Sequence, residues 1–211
     1  MKTTTTLLLC LLAAPASQVT AQEFIPPIKT TFDCSTAKAT IEKLVCRDPQ
    51  LLQMDMEVLR LYRLALTDEH SDPRPDKVLK DQQSWSVIRN LCGAEAQPKA
   101  CVIARYAERA YQLRQGSAIV RTKDPDRLTE GPQALRCTGV NTPISATFFN
   151  TRPGAVYLKW ASTSITLNQV PSDVGTRYTG KDKQGDYSFW QNGEVLQLQK
   201  PGSGVVSCTA E

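Results

Sequence analysis

The sequence predicts two domains, a small all-α bundle stapled by disulfides and an all-β unit of about seven or eight short strands, either a closed barrel or a sandwich. The spacing of apolar residues leads to this division, because it changes from three and four in the first part of the chain to two in the second. Between them, residues 116–132 are polar, lack periodicity and contain two prolines, which predicts a linker. An even number of cysteines remains once an N-terminal export signal is removed.

Residues 1–21 have the pattern of a signal peptide. Lys2 supplies a positive start, residues 7–14 form a short apolar run, and the small residues that follow favour cleavage after Ala21. The apolar run is too short to span a bilayer, so we expect no transmembrane segment. Cys10 follows a leucine rather than a small residue, which argues against lipoprotein anchoring. We therefore expect an exported, periplasmic protein.

The first domain, residues 32–115, has the periodicity of a helical bundle. Its longest run follows Asp48, which suits an N-cap, and Pro49, which suits a first helical turn. The buried face of this helix is predicted from apolar residues spaced by three and four, namely Leu52, Met56, Leu59, Tyr62 and Leu66. Two further runs and a short segment, residues 40–45, complete the bundle. Its apolar core is too small to stabilise the fold without disulfides.

The second domain, residues 133–211, alternates apolar residues with a period of two. Val156, Leu158 and Trp160 give one clear example, and this alternation is typical of half-buried antiparallel strands. Turn signals such as Asn192-Gly193 separate the runs.

The cysteines of the exported chain favour disulfides over a metal site. Zinc sites normally use closely spaced cysteine pairs, and the sequence contains no C-x-x-C. The exported chain retains Cys34, Cys46, Cys92, Cys101, Cys137 and Cys208.

The sequence lacks the patterns that several functional classes require. The formal charge is +4 without a run of basic residues, so we expect no nucleic-acid partner. The single histidine, His70, lies in a predicted turn, which leaves little for a nucleophilic triad. Neither a glycine-rich phosphate loop nor a zinc spacing is present, so we expect no cofactor and no metal. These features favour a binding protein over an enzyme.

The first domain resembles the LprI N-terminal family of exported bacterial proteins. The matching segments are FDCSTAKATIEKLVC, LLQMDMEVLRLYRLAL, QQSWSVIRNLC and CVIARYAERAYQL. Within them Asp55, Tyr62, Trp85, Arg89 and Tyr106 follow the family's order. We expect core packing for Tyr62 and Trp85, and a buried pair between Asp55 and Arg89.

The second domain resembles the MliC/PliC family, the inhibitors of c-type lysozyme, in the segments LRCTG, ITLNQVPSDVGTRYTG, YSFWQNGE and VVSC. The resemblance implies an eight-stranded antiparallel barrel whose first and last strands are joined by a disulfide. Cys137 and Cys208 stand where that bridge belongs. For the four cysteines of the helical domain three pairings remain, of which local pairing, Cys34–Cys46 with Cys92–Cys101, is the simplest.

The resemblance also implies where a target binds. In the barrel family a loop resembling S-x-S-G-x-R/K-Y enters the lysozyme cleft, and a second loop resembles F-W-x-K-G. This sequence departs from both patterns, with Val174 in place of a serine and Asn192 in place of a lysine. The predicted target-binding residues are Ser172, Val174, Gly175, Thr176, Arg177, Tyr178 and Asn192.

Together these patterns predict a periplasmic inhibitor of a lysozyme-type muramidase, which blocks the active-site cleft with barrel loops. The target is either a host lysozyme or a rival bacterium's cell-wall effector, and in the second case the chain is an immunity protein. The alternative is a non-inhibitory envelope or peptidoglycan-binding module that uses exposed aromatic side chains. A hydrolase with a carboxylate pair is the weakest of the three hypotheses.

Overall fold

The computed structural model describes residues 31–122 and 128–211. The predicted signal peptide, its cleavage position and Cys10 lie outside this range. The helices are α1 (Thr40–Arg47), α2 (Pro49–Leu66), α3 (Pro75–Asn90), α4 (Pro98–Gly116) and α5 (Ala118–Thr122), with a 3₁₀ turn at Leu91–Ala94. The strands are β1 (Thr129–Cys137), β2 (Ile144–Phe149), β3 (Ala155–Trp160), β4 (Thr163–Val170), β5 (Thr176–Asp182), β6 (Gly185–Asn192), β7 (Val195–Gln199) and β8 (Val205–Ala210).

Helices α1 and α2 begin where the sequence predicts. The carboxylate of Asp48 accepts from the backbone N–H groups of Gln50 and Leu51, each at 3.1 Å, so it satisfies donors that the first turn of α2 leaves open. Proline occupies the first turn of α2, α3 and α4, where its missing N–H costs nothing. No helix within the described residues is long and apolar enough to cross a membrane.

The eight strands form a closed antiparallel barrel rather than a sandwich. Each strand pairs with the next along the chain, and β1 pairs with β8 to close the circle. The predicted fold class, an all-α part followed by an eight-stranded barrel, is therefore confirmed. Closure leaves no unpaired strand edge, which removes a route to aggregation.

Three disulfides staple the chain in the predicted pairing. Cys34–Cys46 and Cys92–Cys101 lie in the helical part. Cys137 and Cys208 face each other in the β1–β8 register, so the third bridge ties the first strand of the barrel to the last.

The predicted buried pair between Asp55 and Arg89 is present and belongs to a larger network. The Arg89 guanidinium lies 3.3 Å from the Asp55 carboxylate, and both side chains are almost fully buried. The Tyr106 hydroxyl and the Thr31 hydroxyl also donate to this carboxylate, at 2.8 and 2.5 Å. Trp85 packs against Tyr106, with ring centroids 5.5 Å apart, as expected for a core residue.

The outer face of the barrel completes the apolar core of the helical part, and the barrel interior forms a separate core. Phe149, Ala155 and Tyr157 point out of the barrel and are buried among the helices, chiefly against α4. The predicted linker, residues 116–132, contains α5, whose Val120 is fully buried, and the first residues of β1. The domain boundaries given above remain a prediction.

Candidate functional site

Three turns meet at one end of the barrel, because successive hairpins of an up-and-down barrel alternate between its two ends. They connect β2 to β3, β4 to β5, and β6 to β7. The first two line a common cavity of about 590 Å³, with Ser172, Gly175, Thr176 and Tyr178 among its walls. We call residues 171–175, between β4 and β5, the tip loop.

The tip loop is exposed, and hydrogen bonds to one of its backbone carbonyl groups hold it in place. Val174 has 57% of its surface exposed, so its side chain is accessible to a target. Its carbonyl oxygen accepts two hydrogen bonds, from the Ser172 hydroxyl at 2.8 Å and from the Trp190 indole N–H at 2.9 Å. The loop is thus braced to β6 through the backbone of residue 174.

Gly175 permits the close approach of the tip loop to the neighbouring strand. Its φ is +67°, a conformation that favours glycine. A Cβ atom at this position would lie 2.3 Å from the Gln191 carbonyl oxygen and 3.0 Å from the Asn192 Cβ. The predicted role of Gly175 in target binding is therefore best understood as shaping the loop.

Asn192 ends β6 and is exposed at the β6–β7 turn, beside the tip loop. The structure thus brings together the two positions at which the sequence departs from the inhibitor pattern. We call the exposed side chains of Ser172, Val174 and Asn192 the tip surface.

Arg177 and Tyr178 point in opposite directions, as neighbours in a strand do. Arg177 is exposed on the outer wall and pairs in register with Trp190 of β6. Tyr178 is only 6% exposed and packs inside the barrel with Phe148 and Phe189, at centroid distances of 6.2 and 6.3 Å. Burial raises the pKa of the Tyr178 hydroxyl. Tyr178 therefore supports the site from the core, while Thr176 is half-buried at the cavity.

Trp190 belongs to the site although it is not among the predicted target-binding residues. Its indole N–H donates to the Val174 carbonyl oxygen and so braces the tip loop. Its position opposite Arg177 in the β5–β6 hairpin is the signal that could have found it. Metal-ligand chemistry has no candidate here, since residues 31–122 and 128–211 contain no cluster of three or more histidine, cysteine or acidic side chains able to hold a metal ion.

The comparisons with known proteins agree with both resemblances. The profile of the family described as membrane-bound lysozyme-inhibitor of c-type lysozyme (MliC) matches residues 136–206, a range that includes every predicted target-binding residue. Relatives named lipoprotein LprI from Mycobacterium bovis and Mycobacterium tuberculosis are each 28% identical over 200 residues, which is 94% of this chain and 94% of the relative. No solved structure matches the chain.

The chain is therefore similar to the LprI lipoproteins over nearly its whole length and to the MliC family in its barrel, as both resemblances led us to expect. The description of the matching family indicates a role as a lysozyme inhibitor. The expectation against lipoprotein anchoring finds no support in these matches, because the relatives are themselves named lipoproteins.

Proposed function

We propose that this chain is an exported envelope protein that inhibits a lysozyme-type muramidase by inserting its tip surface into the active-site cleft. The observation that supports this best is the convergence of the tip loop and Asn192 at one end of a closed barrel. A protruding surface on a rigid scaffold loses little conformational entropy when it binds, which favours tight inhibition.

The chemistry of the tip surface favours a target other than a standard c-type lysozyme. The catalytic carboxylates of such a cleft are best satisfied by hydroxyl or cationic groups. Val174 offers neither, and a carboxylate buried against it without a partner would cost about 1–3 kcal/mol. We therefore favour a muramidase whose cleft presents an apolar wall, such as a rival bacterium's effector, for which the chain would be the immunity protein.

Arg177 offers a positive charge in place of the lysine that the family pattern carries at residue 192. It is exposed on the strand that follows the tip loop, and Lys181 is exposed farther along the same strand. Arg177→Ala should weaken inhibition of the natural target if this guanidinium reaches a carboxylate at the cleft rim.

The test is an inhibition panel of c-type lysozymes and bacterial muramidases, using the parent chain and Trp190→Phe. The phenylalanine keeps an aromatic ring and removes the N–H that holds Val174, so we expect the inhibition constant to rise at least about tenfold, or about 1.4 kcal/mol. Trp160→Phe is the matched control, because Trp160 ends β3 at the opposite end of the barrel. It should stay within about twofold of the parent.

Two results would contradict the proposal. If the parent chain inhibits no glycan-cleaving enzyme in the panel, the proposed inhibitory function is wrong. If a folded Trp190→Phe variant is as potent as the parent, the tip loop does not take part in inhibition.

A further inference from the structure

The turn between β2 and β3 carries an exposed arginine at the same end of the barrel as the tip loop. Arg152 lines the cavity of about 590 Å³ together with Ser172 and Gly175 of the tip loop, and we call this space the tip-end cavity. Within the described residues the Arg152 guanidinium has no hydrogen bond or ion pair. Its five N–H donors are therefore open to a partner molecule.

The backbone of this turn is held on both sides of the arginine. The Pro153 carbonyl accepts from the Thr151 hydroxyl and from the side-chain amide of Gln50, each at 2.7 Å. The Gly154 N–H donates to the side-chain oxygen of Gln169 in β4 at 2.7 Å. The base of the arginine is thus fixed, and only its side chain has freedom to adjust to a partner.

One of these contacts comes from the helical part of the chain. Gln50 lies in the first turn of α2, where its backbone N–H donates to the Asp48 carboxylate at 3.1 Å. Its side chain is 4% exposed, and it reaches across to the Pro153 carbonyl of the barrel. The helical part therefore helps to set the position of a turn at the target-binding end of the barrel.

The charge of the tip-end cavity is that of the arginine alone. Among the described residues that line it, Arg152 is the only one with a charged side chain. Arg177 lies on the outer wall opposite Trp190 and does not line the cavity. A concave surface that presents one guanidinium and no carboxylate suits an acidic group of a partner, because the planar guanidinium donates two parallel hydrogen bonds to a carboxylate.

We propose that Arg152 determines specificity by binding a carboxylate at the rim of the target's cleft while the tip loop occupies the cleft, and that Gln50 positions it. This inference rests on the proposed function of the tip loop. It adds a cation that the inhibitor pattern does not predict, at a distance in sequence from Asn192, where that pattern carries its lysine. It also gives the helical part a role in inhibition.

The first test measures inhibition constants against the muramidase that the parent chain inhibits most strongly in the panel. Arg152→Ala should raise the inhibition constant at least about tenfold. Lys183→Ala is the matched control, because it removes the same charge from an exposed side chain in the β5–β6 turn, at the opposite end of the barrel. The control should stay within about twofold of the parent. Thermal melts of both variants confirm folding.

The nature of the partner group is tested by two further substitutions of the same residue. Arg152→Lys keeps the charge and loses the planar donor pair, whereas Arg152→Gln keeps donors and loses the charge. For a carboxylate partner we expect the lysine variant to retain more inhibition than the glutamine variant. A glutamine variant that is the more potent of the two would contradict a carboxylate.

The role of Gln50 is tested by Gln50→Met in two backgrounds. Loss of the amide donor should raise the inhibition constant about threefold or more in the parent, and should have no further effect once Arg152 is replaced by alanine. A role in stability alone would change inhibition equally in both backgrounds, and that result would remove Gln50 from the proposal. Gln50→Leu repeats the measurement if Gln50→Met does not fold.

Failure of this inference and failure of the proposed function give different results. A parent chain that inhibits nothing in the panel overturns both. A parent that inhibits, with a folded Arg152→Ala variant of equal potency, overturns only the role of Arg152. Equal losses for Arg152→Ala and Lys183→Ala would show an effect of net charge and would also overturn it.

Discussion

Val174 shows how much of the predicted specificity depends on a single exposed side chain. It lies at the end of a braced loop, with 57% of its surface in solvent, and Asn192 lies beside it across the Gly175 contact. Neither side chain packs in the core, so both can be replaced at a cost of about 0.5 kcal/mol or less. Their effect on binding can therefore be measured without a change in fold.

The double change Val174→Ser, Asn192→Lys restores the hydroxyl and the ammonium of the inhibitor pattern. Two contacts to charged groups contribute about 1.5–3 kcal/mol each before ordering costs. We expect inhibition of a standard c-type lysozyme to improve at least about tenfold. Inhibition constants for the single and double variants check this, with thermal melts as the folding control. A folded double variant no better than the parent would show that the interface lies elsewhere.

Arg89 and Asp55 form a buried charge network whose members depend on one another. The guanidinium also lies over the rings of Phe32 and Trp85, 5.0 and 5.3 Å from their centroids. Burial raises the pKa of the Tyr106 hydroxyl well above its usual range, so Tyr106 remains a donor to Asp55 at every physiological pH.

Arg89→Met should cost about 3–5 kcal/mol in the free energy of unfolding, because it leaves the Asp55 carboxylate buried without its cation. Adding Asp55→Asn should recover part of that loss, since the double variant buries no charge. Urea unfolding of the two single variants and the double variant measures the coupling. Strictly additive losses would mean that the two residues act independently.

At the scale of elements, the short helix α5 begins with a side-chain cap. The sequence predicts a linker over this segment. The Ser117 hydroxyl accepts from the Val120 N–H at 3.2 Å and donates to the buried Asp68 carboxylate at 2.6 Å. This donation is the main reason that the pKa of Asp68 lies below its usual value of 3.8. One hydroxyl thus joins the segment after α2 to the start of α5.

Ser117→Ala should lower stability at neutral pH by about 1 kcal/mol from the lost cap. The Asp68 contribution has a definite sign: a carboxylate whose pKa is lowered in the fold stabilises above its unfolded pKa, and this stability is lost as pH falls through the folded pKa. The difference between parent and variant should therefore shrink below about pH 4. Chemical denaturation at several pH values measures it, and a difference independent of pH would contradict the role of Asp68.

Strand β3 shows where sequence periodicity predicts an element and where it does not. The alternation of Val156 and Leu158 located the strand and its inward face. Ala155 and Tyr157 are buried as well, because α4 covers the outer face there. A run of four buried residues indicates a strand covered on both sides, but only the packing of the helices shows what covers it.

At the scale of the whole molecule, polar contacts accompany the apolar contact between the helices and the outer face of the barrel. The Thr129 hydroxyl donates to Glu57 of α2 at 2.5 Å, and Arg114 of α4 donates to the Gly131 carbonyl at 2.5 Å. The rings of Tyr111 and Tyr157 lie 5.1 Å apart across the same interface. These contacts lead us to expect that the two parts stay together even without a covalent connection.

A protease site placed between Thr122 and Leu128 tests this expectation. After cleavage the two fragments should elute as one species in size-exclusion chromatography, because separation exposes Phe149 and Tyr157 to water. Tyr157→Ser should weaken the association, whereas Tyr187→Ser, a buried tyrosine inside the barrel, should destabilise the barrel instead. Fragments that separate and remain folded would favour two independent domains.

The candidate site was predictable in part. The inhibitor pattern predicts Ser172, residues 174–178 and Asn192 as the site, and the alternation of strand residues implies that Arg177 and Tyr178 face opposite ways. The bond between Trp190 and Val174 could not be predicted, because it depends on the curvature that places β6 beside the tip loop.

The brace of the tip loop has a consequence for how such a protein changes over generations. Both donors that hold the loop act on the carbonyl oxygen of residue 174, which every amino acid supplies. Substitution of residue 174 therefore leaves the conformation of the loop unchanged. Single-nucleotide changes at this codon can adapt the tip surface when the target changes. Position 175 has no such freedom, since any other residue would collide with the Gln191 carbonyl. Among related sequences we therefore expect residue 174 to vary widely while residue 175 stays glycine.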